Sequence, residues 1–229
     1  PLTTIAQDST WKSETHLGTE YAALLVKPGY RPPTTTEQLP AVGGEVVAVA
    51  ITKGDLSSLP APQTLHFSGY EWKIRTTGSD RGGTKNAFDA ANAWTDERGF
   101  LHLRIARRAE QWTCAEVQLT RSLGYGSYQF VVQDTSPLEP AAVLSLYTWD
   151  DLEVEQNHRE LDIELTRWGD PASKNAQYVV QPFYVPANVA RFAAPSGVLT
   201  HSFRWEPKQV TFRTTTGNGR PSRLVSEHV

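Results

Sequence analysis

Several things are scarce in this chain of 229 residues, and each scarcity excludes something. There is one cysteine, Cys114, so an internal disulfide framework and a cysteine-ligated zinc cluster are ruled out. The six histidines show no paired metal-ligand spacing, so a catalytic zinc is not expected. No run approaches the ~20 consecutive apolar residues of a membrane-spanning helix, so no span is expected. Neither charge sign dominates: 22 Lys and Arg stand against 25 Asp and Glu, for a net charge of −3. No basic stretch would neutralise phosphates, so nucleic acid is not an expected partner. Methionine is absent and the chain starts at Pro1, which reads as a processed or trimmed secreted chain, extracellular or periplasmic. Helical periodicity is weak throughout.

What is present is aromatic and β-prone. Seven Trp, eight Tyr and eight Phe supply flat amphipathic rings of the kind that line carbohydrate clefts or fill β cores. Short apolar and β-branched runs alternate with Gly, Pro, Asn and Asp clusters. Strands are expected over 21–27, 45–52, 101–106, 116–119, 128–132, 143–148, 160–165, 177–181, 200–205 and 210–213. The stiff Pro60-Ala61-Pro62 segment divides the chain. Residues 1–62 read as a small β segment or module remnant with its linker, and 63–229 as the main domain. So many strands without intervening helices imply an all-β fold, a sandwich of two antiparallel sheets or a jelly roll.

One segment carries most of the chemistry: Glu160-Leu161-Asp162-Ile163-Glu164-Leu165. Strand side chains alternate between faces, so Leu161, Ile163 and Leu165 point to a core and Glu160, Asp162 and Glu164 share the other face. One reading is a solvated strand face. The other is a glycosidase acid pair with a helper. The two Glu Cα atoms would lie ~13 Å apart, and side chains leaning together could bring their carboxyls near the ~5–5.5 Å of retaining glycosidases. Asp162 between them could separate their ionisation, leaving one nucleophile and one acid.

This strand resembles that of glycoside hydrolase family 16, in the tight E-x-D-x-E form of its lichenase branch. The neighbours resemble it too: Thr113-Cys114-Ala115-Glu116, Leu123-Gly124-Tyr125-Gly126-Ser127-Tyr128, Leu144 to Trp149, and His201-Ser202-Phe203-Arg204-Trp205-Glu206-Pro207, in family order from about Phe67 onward. The resemblance implies a concanavalin-like jelly roll and a retaining endo-β-glycosidase acting on a β-linked polysaccharide, most naturally a 1,3-1,4 or 1,3 β-glucan. It implies Glu160 as nucleophile, Asp162 as its hydrogen-bonding assistant and Glu164 as acid/base. Glu116, Tyr147 and Trp149 would contact substrate. A non-catalytic glycan-binding module on the same fold and a transglycosylase remain the alternatives.

The departures fall in the sugar-binding shell. Gln118 stands at an arginine position, His158 at a stacking tryptophan, Gln181 at a tyrosine, Val179 at an asparagine and Arg81 at an asparagine. Gln118, His158, Gln181 and Arg81, with Trp168 as a rim platform or a loop anchor, complete the expected substrate-binding set. Cys114 has Ala87 at the position of its family partner. Trp72, Trp94, Trp112 and Trp205 are expected in the core. No cofactor is expected. A structural calcium near Asp96-Glu97-Arg98-Gly99 is the one implied exception. The family continues with strands past the position of Val229, so the chain reads as incomplete or as filled in by residues 1–60. A monomer is expected.

Overall fold

The computed structural model describes residues 20–27, 64–77, 87–108, 111–150 and 159–229. The expected strand over 45–52, the proline linker, Arg81 and His158 lie outside them. The described strands are β1 (Glu20–Lys27), β2 (Thr64–Phe67), β3 (Tyr70–Ile74), β4 (Ala87–Phe88), β5 (Ala93–Thr95), β6 (Leu101–Leu103), β7 (Ala106–Arg108) and β8 (Gln111–Leu119). They continue with β9 (Gly126–Val132), β10 (Val143–Asp150), β11 (Leu161–Leu165), β12 (Ala176–Val180), β13 (Val189–Phe192), β14 (Leu199–Glu206), β15 (Gln209–Thr216) and β16 (Leu224–His228). The helical segments among the described residues are two short 3-10 turns, Ala90–Asn92 and Pro186–Asn188. The fold is all-β, as the composition implies.

The larger sheet runs β13-β12-β11-β10-β1-β8-β3-β2, with β4 and β7 also on β8; the smaller runs β16-β15-β14-β9. Pairing is antiparallel except between β4 and β8. Alternation decides which side chains the two sheets share. Leu161, Ile163 and Leu165 of β11 join Tyr178 of β12, Phe130 of β9, Phe203 of β14 and Phe212 of β15 in one buried cluster. Tyr178 stacks on Phe212 at 5.1 Å, and its hydroxyl donates to Thr214 Oγ1 at 2.6 Å. The larger and smaller sheets therefore face each other across this core. Each fully buried ring or branched chain contributes roughly 1.5–3 kcal/mol. Trp72 and Trp205 are in the core, whereas Trp94 and Trp112 are half-buried.

Two departures from the expected strands have local causes. The run 101–106 is broken into β6 and β7. β6 pairs with β5 and β7 with β8, and Arg104 lies between them, its backbone N–H donating to Asn92 O at 2.8 Å and its guanidinium to Asn92 Oδ1 and Ala91 O. The second concerns the N-terminal segment. Its strand β1 lies inside the larger sheet, with all its residues from Glu20 to Lys27 in register with β10 from Asp150 to Val143, and with Ala23 to Val26 in register with β8. Residues 20–27 thus supply an interior strand to the main sheet.

Candidate functional site

The register of the larger sheet lines up the expected residues in rows. One row runs Arg191, Gln177, Glu164 and Ser145, then through Leu25 of β1 to Glu116. The next runs Val189, Val179, Asp162 and Tyr147, then through Ala23 to Gln118 and Lys73. A third joins Glu160 to Gln181, whose backbone N–H donates to Glu160 O at 3.1 Å. Antiparallel partners share a face. Glu160, Asp162, Glu164, Glu116, Gln118, Tyr147, Trp149 and Gln181 are therefore gathered on the face opposite the core.

The three carboxylates of the β11 segment are not equivalent. Asp162 is buried, while Glu160 and Glu164 are half-buried on either side of it. Two of the three meet amide side chains from β12 and the residue after it. Gln177 Nε2 donates to Glu164 Oε2 at 2.6 Å. Gln181 Nε2 makes a long contact with Asp162 Oδ2 at 3.5 Å. The start of the strand is pinned separately: Thr148 Oγ1 donates to Arg159 O at 2.9 Å and accepts from Leu161 N at 3.0 Å. Arg159, with φ of 48°, pairs with the buried Asp150 at 2.6 Å.

The β8 end of the face is closed by protein. Glu116 is fully buried and forms an ion pair with Arg75 at 2.7 Å. Its other oxygen accepts from Gln118 Nε2. The Arg75 guanidinium lies 4.1 Å over the Phe88 ring, and Phe88 packs with Cys114, Tyr147 and Trp149. Arg75, just past β3, and Gln118, two residues along β8, thus share the Glu116 carboxylate between them. Cys114 Sγ donates to Ala87 O at 3.3 Å.

Trp168 sits apart, in the turn after β11. It is 53 % exposed, and its backbone N–H donates to Thr166 Oγ1 at 3.0 Å. In the Asp96 turn, the carboxylate accepts from the backbone N–H groups of Arg98 and Phe100, both at 2.9 Å, and lies 3.0 Å from His102 Nε2. Among the described residues no group of three or more His, Cys, Asp or Glu side chains is arranged to hold a metal ion.

Gln177, Arg191, Arg75 and Phe88 are site neighbours that the sequence reading did not single out. Gln177 was within reach, since stepping back by two from Gln181 and Val179 stays on the same strand face. The other three arrive through non-local pairing. Comparison of the chain with protein-family models, with curated proteins and with solved structures finds no match.

Proposed function

We propose that this protein is a secreted, retaining endo-β-glycosidase on a jelly-roll scaffold, acting on a β-linked polysaccharide such as a 1,3-1,4 or 1,3 β-glucan. The observation that carries the reading is the Glu160–Asp162–Glu164 row: a buried aspartate between two half-buried glutamates, flanked by amide side chains from β12. Carboxyls in unlike surroundings on one strand face suit a double displacement. Glu160 attacks the anomeric carbon while Glu164 protonates the leaving oxygen; Glu164 then deprotonates the water that releases the covalent sugar. Asp162 holds the row together and separates the two ionisations.

The test is Glu160→Gln and Glu164→Gln on a panel of β-glucans with product sizing and anomer analysis. Each substitution is expected to lower kcat by roughly a thousandfold or more, and the wild type to release the β-anomer first. Undiminished hydrolysis by either variant rejects the assignment. The closed β8 end favours a second reading, glycan binding without turnover, because Glu116 and Gln118 are engaged by protein. Binding isotherms on the same panel, with no products formed by the wild type, would select it.

A further inference from the structure

We infer that Arg191 is a positioning residue for Glu164, acting through the amide of Gln177. Its relevance to proton transfer rests on the glycosidase reading; the relay itself does not.

Arg191 sits on β13, at the edge of the larger sheet, directly opposite Gln177 of β12, which is directly opposite Glu164 of β11. Arg191 Nη1 donates to Gln177 Oε1 at 2.8 Å, and Gln177 Nε2 donates to Glu164 Oε2 at 2.6 Å. A guanidinium has donors and no acceptor. It therefore forces the oxygen of the Gln177 amide toward itself and the NH2 group toward Glu164. Gln177 is itself buried, so a flipped amide would leave donor facing donor at one end and acceptor facing carboxylate at the other.

The guanidinium is in turn fixed by the backbone and side chain of the loop after β11. Its Nη2 donates to Lys174 O, to Ser173 Oγ at 3.2 Å and to Thr166 O at 3.4 Å. No carboxylate lies within ion-pair range of it among the described residues. An arginine held by carbonyls and directed at a glutamine amide has one consequence for the carboxyl beyond. Oε2 of Glu164 is always an acceptor, so whenever Glu164 is protonated its proton resides on Oε1. The relay thus selects which oxygen of the acid donates and holds it in place, while favouring the ionised form.

The experiment reads the Glu164 carboxyl carbon by NMR across pH in the full chain: wild type, Gln177→Leu, Arg191→Lys and the double variant. Among the described residues the other ionisable groups on this face include Glu160 and Asp162 beside Glu164, Tyr147 on β10, Cys114 and Glu116 on β8, Glu71 and Lys73 on β3 with Arg75 just past it, and His66 on β2; all are unchanged. Gln177→Leu is expected to move the Glu164 titration to higher pH by about half a unit or more. Arg191→Lys keeps the charge but loses the fork, and is expected to move it the same way. The double variant should titrate like Gln177→Leu alone, since Arg191 then has nothing to act through. A wild-type midpoint in Arg191→Lys, or additive shifts in the double variant, overturns the inference.

A second readout needs no substitution. The side-chain NH2 resonances of Gln177 in the wild type should follow the Glu164 titration, and if they do not respond the relay is absent. Both measurements are made without polymer, so their outcome is independent of whether the glucan panel is cleaved.

Discussion

At the scale of single residues, Glu116 is the group whose burial most needs explaining. A fully buried carboxylate is costly unless paired and hydrogen bonded, and here Arg75 and Gln118 take one oxygen each. The pair is asymmetric, because Arg75 retains some exposure while Glu116 has none. Arg75→Met should therefore be the worse substitution, leaving an unpaired buried charge and lowering unfolding free energy by about 3 kcal/mol. Glu116→Gln should lose less, because a guanidinium at the rim can turn to water. Urea unfolding of both variants checks the order, and equal or reversed losses would mean that the pair does not hold this end of the face. Arg75 was invisible in the sequence because nothing local marks it; it meets Glu116 only through the β3–β8 pairing, 41 positions away.

At the scale of elements, alternation was informative and partnership was not. Leu161, Ile163 and Leu165 read as core-facing and are core-facing, because period two is a local property of a strand. Val143–Asp150 and Leu199–Glu206 were likewise legible from their β-branched and aromatic runs. The short strands β13 and β16 were not, since Val189–Phe192 and Leu224–His228 are strands only by virtue of edges offered by β12 and β15. The place of β1 was equally hidden: its residues spell a strand, but only long-range pairing puts it between β8 and β10. That position makes a prediction. A chain beginning at Gln63 would leave β8 and β10 with two long facing edges in the middle of the sheet, and unpaired interior edges recruit other chains. Such a chain is expected to aggregate or to lose cooperative unfolding, as read by light scattering and circular dichroism. A soluble, cooperatively folding 63–229 fragment would instead establish that the main domain stands without β1. The same reasoning bears on the site, because the rows that join Glu164 to Glu116 and Asp162 to Gln118 pass through β1.

At the scale of the whole molecule, the inter-sheet core sets how stability depends on pH. His201 lies fully buried between the sheets with Nδ1 2.9 Å from Thr214 Oγ1, and Nε2 has no partner. Burial pushes its pKa down from 6.5 to about 3, so it is neutral in the fold and charges readily only when unfolded. The unfolded chain then binds the extra proton between pH 6.5 and 3, and stability is lost as pH falls through that range, by at most about 1.4 kcal/mol per unit. Asp96 and Asp134 add a separate loss at lower pH. Desolvation raises both, but hydrogen bonds outweigh it: from His102, Phe100 and Arg98 for Asp96, and from Ser136 and Gly197 for Asp134. Both end below 3.8, so their contribution is present above that value and fades beneath it. Tyr178 closes the other side. Burial raises its pKa above 10 against the opposing hydrogen bond to Thr214, so the folded state keeps a proton that the unfolded state gives up, and stability declines above pH 10. Between about pH 6.5 and 10 none of these four groups makes stability depend on pH. His201→Gln should flatten the acid side selectively, since an amide can still meet Thr214 but does not titrate. Urea midpoints taken at pH 7, 5.5 and 4.5 should fall steeply in the wild type and little in the variant. An undiminished slope in the variant would place the acid-sensitive proton elsewhere than between the sheets.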